Sequence, residues 1–220
     1  AHVGAILDQG AAALTLGGDH SITLPILRAH AARHGPVALI QVDAHTDTWA
    51  GDDGEIDHGT MFYKAVKEGL IVPERSVQVG IRTVCEDYLG VNIIDAPTMH
   101  NLCTNDAVAK IREIIGDNPT YVTFDIDCLD PAFAPGVSHR EPGGMSTRDV
   151  LALIHQLQGQ PCEIIGADVV EYNPQRDVDG MTAVVAAKFL KELTGLIICN
   201  NQIWLTRKTN GNHHTLTHSA

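Results

Sequence analysis

Three apolar runs in this chain, 13–16 (Ala-Leu-Thr-Leu), 37–42 (Val-Ala-Leu-Ile-Gln-Val) and 121–124 (Tyr-Val-Thr-Phe), each lead into a short segment dense in acid and histidine. These segments are Gly18-Asp19-His20-Ser21, Asp43-Ala44-His45-Thr46-Asp47 and Asp125-Ile126-Asp127-Cys128-Leu129-Asp130. Short apolar runs bounded by turn residues read as buried strands. Further strand-like runs lie at 76–81 and 163–169, amphipathic helical stretches at 106–115 and 147–157, and 182–193 reads as a closing helix. Strands alternating with helices predict an α/β protein, a three-layer α/β/α arrangement around a central parallel sheet. In such a sheet the carboxyl ends of the strands share one edge, so the three charged segments converge there.

Side chains two apart on extended backbone point the same way. Asp43, His45 and Asp47 are therefore expected to form one row, and Asp125 and Asp127 another. Carboxylates buried together repel one another and either take up protons or need counter-charge. A pair of metal ions supplies it. Four Asp and two His make an oxygen-rich, partly imidazole donor set, suited to Mn²⁺, Mg²⁺ or a similar ion and unlike a thiolate zinc site. A carboxylate can bridge two ions about 3.5–4 Å apart, and Asp43 and Asp125, each heading its row, are the natural bridges. Each segment alone has a plainer reading: a capped helix start for Gly-Asp-His-Ser, a polar turn closed by Pro131 for the third. Their convergence on one sheet edge favours the metal reading.

Taken in order, Gly17-Gly18-Asp19-His20-Ser21, Asp43 to Asp47, Asp125 to Pro131 and Asp168-Val169-Val170-Glu171-Tyr172-Asn173-Pro174 resemble the signatures of the ureohydrolases, the arginase and agmatinase family. The resemblance runs from about residue 11 to 196. It implies two Mn²⁺ ions per chain, one held by His20, Asp43, Asp47 and Asp125 and the other by Asp43, His45, Asp125 and Asp127. The implied reaction is hydrolysis of a guanidinium carbon to urea and an amine, with Asp47 hydrogen-bonded to the attacking oxygen. Glu171 matches the carboxylate that pairs with the guanidinium, and His58 the histidine that helps protonate the leaving amine. The catalytic set is thus His58, Asp47 and Glu171, with Glu171 and His58 also touching substrate.

Within the family, the stretch 57–63 followed by 67–71 looks like agmatinases, which implies agmatine as substrate with putrescine and urea as products. An arginase must also hold an α-carboxylate, and no matching polar loop stands near residues 50–60. Asp52, Asp53, Glu55 and Asp57 could draw a dication by their field, or simply form a solvated acidic loop. By contrast, residues 134–144 and 173–177 resemble plant-type arginases, which keeps L-arginine and 4-guanidinobutyrate open.

At 220 residues and 44% apolar, the chain can bury one substantial core. Residues 1–197 are expected to form a single catalytic domain that lacks the N-terminal part usual in the family, and 198–220 an atypical, partly disordered tail whose His213, His214 and His218 are more simply solvated than metal-binding. A formal charge of −12 with no basic cluster argues against nucleic acid, and no apolar run is long enough for a membrane span. Five cysteines without a Cys-x-x-Cys pair suit a reducing cytoplasm, an organelle staying open for a chain of this kind; Cys128 is read as a small buried side chain. The partners implied are a small guanidine and further copies of the chain, as a trimer or hexamer by family resemblance. The competing class is a truncated, non-catalytic relative serving as a metal-binding or regulatory protein.

Overall fold

The computed structural model describes residues 2–51 and 56–214, with side chains to residue 206. In chain order the helices and strands are α1 (His2–Asp8), β1 (Ala13–Leu16), α2 (Thr23–His34), β2 (Ala38–Val42), α3 (Met61–Lys67), β3 (Val77–Val79), β4 (Asn92–Ile94), α4 (Ala96–Asn101), α5 (Thr104–Ile115), β5 (Thr120–Asp125), α6 (Thr147–Leu157), β6 (Ile164–Val170) and α7 (Met181–His214). The strands form one six-stranded sheet in the order β1-β6-β5-β2-β3-β4, with every pairing parallel. Every residue of β2, β5 and β6 is buried, as a parallel sheet covered on both faces requires.

Alternation along each strand sends side chains to opposite layers. Leu39 and Tyr121 pack with Leu24 and Leu27 of α2 and with Met61 and Phe62 of α3. Ile40, Val122 and Phe124 face the other way, into a larger core with α5, α6 and α7, where the Phe124 and Phe189 rings lie 4.5 Å apart. This is the three-layer α/β/α arrangement expected. α6 opens on a capping box in which Ser146 and Asp149 satisfy each other's backbone N–H groups. Among the described residues no helix is long and apolar enough to cross a membrane.

β2 is followed by α3 and β3 on one side, whereas β5 is followed by α6 and β6 on the other. The connections therefore diverge between β2 and β5. At such a switch point the loops leaving two adjacent strands part and open a crevice at their carboxyl ends, the standard ligand position in open α/β sheets. Val42 pairs with Phe124, so the next residues, Asp43 and Asp125, stand side by side at its floor.

The strand expected over 76–81 is shorter, at Val77–Val79, and β4 was not anticipated. The closing helix expected over 182–193 runs instead from Met181 to His214, taking in residues 198–214 that the sequence assigned to a tail. Gly and Asn have low intrinsic helix propensity, but tertiary contacts override it at Asn200 and Asn201. Asn200 is fully buried, donating to the Leu157 carbonyl at 2.9 Å and accepting from Gly159 N–H at 2.9 Å. The Asn201 amide meets both the N–H and the C=O of Ile164 at 3.0 Å, acting as a strand-like partner for the start of β6. The side chains of His213 and His214, and all of residues 215–220, lie outside the described residues.

Candidate metal and substrate site

The side chains of His20, Asp43, His45, Asp47, Asp125 and Asp127 converge at the crevice, but not as rows on extended backbone. After Asp43 the chain bends, and the His45 N–H donates to Asp43 Oδ1 at 2.7 Å. Asp47 then adopts a left-handed backbone with φ 54°, a conformation that Asp tolerates better than most residues. After Asp125 a 3-10 turn, Ile126–Cys128, begins with the Asp127 N–H bonded to Asp125 Oδ1 at 2.8 Å. Carboxylates that accept backbone N–H groups two residues on make Asx turns. Those turns, and not strand alternation, fold the ligand candidates inward.

His20 Nδ1 lies 3.3 Å from Asp43 Oδ2, 3.0 Å from Asp47 Oδ2 and 3.1 Å from Asp125 Oδ2. His45 Nδ1 lies 3.1 Å from Asp127 Oδ2 and 3.7 Å from Asp43 Oδ1. Two donor sets are compact enough to hold one ion each, His20-Asp43-Asp47 and Asp43-His45-Asp127, with Asp43 common to both. Burial and the neighbouring Asp43 charge push the Asp47 carboxyl up to about 7. Burial, with Asp127 and Asp43 alongside, pushes Asp125 well above the usual carboxylate range; burial and Asp43 also raise Asp127. Burial acts to raise Asp43 as well, but the imidazoles of His20 and His45 outweigh it and hold this carboxyl low. In both histidines burial is outweighed by the carboxylates, which raise His20 well above its ordinary value and His45 to about 11. With protons as the only counter-charge, this cluster retains them far above their normal range.

Behind His20 runs a buried relay. Asp168, fully buried on β6, accepts from the hydroxyls of Thr23 at 2.8 Å, Tyr121 at 2.9 Å and Thr123 at 2.6 Å. Because the Thr123 proton is committed to Asp168, its oxygen accepts from His20 Nε2 at 2.8 Å. The proton of a neutral His20 therefore sits on Nε2, and Nδ1 presents its lone pair to the three carboxylates. That nitrogen is buried without a hydrogen-bond partner. Once these groups are deprotonated, a lone pair faces three anionic oxygens at about 3 Å and is repelled unless a cation takes the place of the protons, so these residues fit a divalent ion. The carboxylate-to-ligand support is of the kind that orients metal-bound histidines.

A pocket of about 310 Å³ opens over the cluster. Asp47, Asp125 and Asp127 line its floor, and Trp49, Asp57, His58, His139 and Glu171 its walls. Glu171, the first residue past β6, takes φ 64°. Its N–H donates to Gly18 O and its Oε1 accepts from His20 N–H, both at 2.7 Å. Burial raises its carboxyl. The His58 ring lies tilted against His139, with centroids 4.7 Å apart. Asp52, Asp53 and Glu55 lie outside the described residues; of that acidic group Asp57 reaches the pocket. Cys128 is fully buried and burial pushes its thiol well up, against thiolate character.

Several residues at the site were not assigned from sequence. The Gln78 amide donates to Gln41 Oε1 at 2.7 Å, and Gln41 to Asp43 Oδ2 at 2.8 Å. Arg82 donates to the carbonyls of Asp127 at 2.7 Å and Glu141 at 2.6 Å, and also to Cys128 and Leu129. One guanidinium thus ties the turn that carries Asp127 to the loop that carries His139. Gly144 makes the tight passage possible, since a Cβ there would lie 2.5 Å from Asp130 N and 2.7 Å from Arg82 Nη2.

This architecture of acidic strand ends over a parallel sheet agrees with comparison to known proteins. The Arginase family model matches residues 1–195, and the chain belongs to that family. It is 51% identical over 188 residues to an agmatinase of Chromobacterium violaceum, a match covering 84% of this chain and 58% of that one. A crystal structure of a hypothetical agmatinase from Burkholderia thailandensis superposes with a TM-score of 0.85 at 49% identity, covering 94% of this chain and 64% of the other. The proclavaminate amidino hydrolase of Streptomyces clavuligerus also gives 0.85, at 39% identity over 90% of this chain and 68% of the other. The chain thus spans roughly three fifths of the length of the agmatinase relative it matches.

Proposed function

We propose that this chain carries the catalytic site of a two-metal ureohydrolase that converts agmatine to urea and putrescine. The observation that carries the reading is the convergence of three carboxylates on the buried His20 Nδ1, at 3.0–3.3 Å, beneath a pocket lined by Glu171 and His58. His20, Asp43, Asp47 and Asp125 would hold one ion, and Asp43, His45, Asp125 and Asp127 the other; the oxygen-rich donor set suits Mn²⁺. Such ions supply charge stabilisation and a more acidic water when bound.

The protein's own contribution follows from its side chains. Glu171 binds the guanidinium through charge-assisted hydrogen bonds and fixes its plane. Asp47 accepts a hydrogen bond from the attacking oxygen. His58 transfers a proton to the leaving amine, a task an imidazole can perform. Among the described residues lining the pocket there is no Lys or Arg. The α-carboxylate of L-arginine, or the acid end of 4-guanidinobutyrate, finds no cationic partner there, whereas the far ammonium of agmatine meets Asp57. L-Arginine is the second reading, favoured by His139, which the plant-arginase-like loop 134–144 brings to the pocket. The names of the agmatinase relatives support the first. A homo-oligomer in the cytoplasm accompanies this reading by family resemblance.

The test is urea release from agmatine, L-arginine and 4-guanidinobutyrate side by side, with metal content counted per chain. Turnover of agmatine above the others supports the reading. Two bound ions with no urea from any of them would replace it with a non-catalytic metal-binding role.

A further inference from the structure

We propose that Asp19 is the positioning residue for His58, fixing which ring nitrogen carries the proton; the reaction it serves rests on the ureohydrolase reading above, the geometry does not. Asp19 follows β1 and immediately precedes His20. Its neighbours on both sides are tied to Glu171, Gly18 through its carbonyl and His20 through its N–H, both at 2.7 Å. Its own Oδ1 accepts from the Ser21 N–H at 2.9 Å. Backbone and side chain are thereby fixed, and the remaining oxygen, Oδ2, lies 3.1 Å from His58 Nδ1. The polar atoms of Asp19, His58 and Glu171 cluster within 4.8 Å of one another at the pocket wall.

A carboxylate only accepts hydrogen bonds, so Nδ1 is the donor and a neutral His58 keeps its lone pair on Nε2. The ring is also packed against His139, tilted by 30° with centroids 4.7 Å apart. In the hydrolysis the water oxygen bonds to the guanidinium carbon, one of its protons passes to His58 Nε2, and the same nitrogen protonates the amine as its bond to carbon breaks. The second water proton then leaves the oxygen for the freed amine, giving urea and an ammonium. Between the first two transfers the imidazolium rests against Asp19. Asp19 touches neither substrate nor water in this scheme; it acts through His58.

Asp19→Asn tests this cleanly. Asn caps a turn as well as Asp does, so the bond from Ser21 survives, but the amide now donates to Nδ1 and inverts the tautomer. In the metal-loaded protein we expect the ¹⁵N signals of His58, assigned with His58→Ala, to move from the Nδ1–H to the Nε2–H pattern. With agmatine, kcat should fall roughly 10–100-fold while KM stays within about threefold, and metal content should not change. In a His58→Ala background the same substitution should have no further effect on kcat. An unchanged tautomer, loss of bound metal, or an effect on kcat that persists without His58 would each overturn the proposal. Should the wild-type protein release no urea from any guanidine, the ureohydrolase reading fails, and the tautomer comparison still decides the pairing of Asp19 with His58.

Discussion

The Thr123 hydroxyl stands 2.8 Å from His20 Nε2 and donates its hydrogen bond to Asp168 Oδ1, 2.6 Å away. This single side chain decides that His20 offers the crevice a lone pair. Thr123→Val keeps the shape and removes the relay. Metal affinity should fall about 10–100-fold, the usual effect of losing support behind a ligand. Calorimetric titration of Mn²⁺ into the metal-free protein measures it; equal affinities in the two proteins would show that the relay does not hold His20.

Metal binding should also release protons. Asp47 is held up to about 7 and Asp125 well above the usual carboxylate range, and both must be deprotonated to act as ligands. His20 and His45, also raised, must lose their protons too, so affinity should fall as pH drops, from the alkaline range down through about 7. At a metal concentration one hundred times Kd, stability should rise by about 2.7 kcal/mol. Asp125→Asn, which removes a shared ligand, should abolish most of the gain. Titration in buffers of different ionisation enthalpy counts the protons, and thermal unfolding with and without chelator reads the stabilisation.

Glu171→Gln isolates the charge at the pocket wall, because the Gln carbonyl can still accept from the His20 N–H. Weakening a charge-assisted bond costs about 1.5–3 kcal/mol, so KM for agmatine should rise about 10–100-fold with metal content unchanged. An unaltered KM would remove Glu171 from substrate binding.

His30 predicts a pH effect unrelated to the site. It is fully buried on α2, neither ring nitrogen has a hydrogen-bond partner, and burial together with nearby His34 lowers its pKa to about 4. The unfolded chain therefore binds the proton more readily, from about pH 6.5 downward. The stability this neutral ring supports is complete above pH 6.5 and is lost as pH falls towards 4, up to about 3 kcal/mol in all. Denaturant unfolding of wild type and His30→Leu at pH 7.5 and 4.5 should show a smaller loss in the variant; parallel losses would assign the acid sensitivity elsewhere.

The layers of the fold were legible because β2, β5 and β6 are short runs rich in apolar and β-branched residues and the helices between them are periodic. The ligand candidates were legible because ionisable residues at buried strand ends have little structural purpose. Their geometry was not. Spacing in Asp43-Ala44-His45-Thr46-Asp47 suggests a strand-like row, yet the carboxylates bind their own backbone and turn it. The relay had a faint signal in Tyr121, Thr123 and Asp125, polar residues at alternate positions on one face of a buried strand. Their partner Asp168 stands opposite Thr123 only through sheet register, which spacing alone does not disclose. Nor does sequence show that Asn200 and Asn201 extend α7, because their partners lie some forty residues away.

The grip of Arg82 on two loops at once has an evolutionary reading. His139 belongs to the pocket wall and Asp127 to its floor, yet one rigid fork of donors spans the loop of the first and the turn of the second. A change that displaces the wall loop therefore transmits a shift to the floor, so wall and floor are coupled in what substitutions they accept.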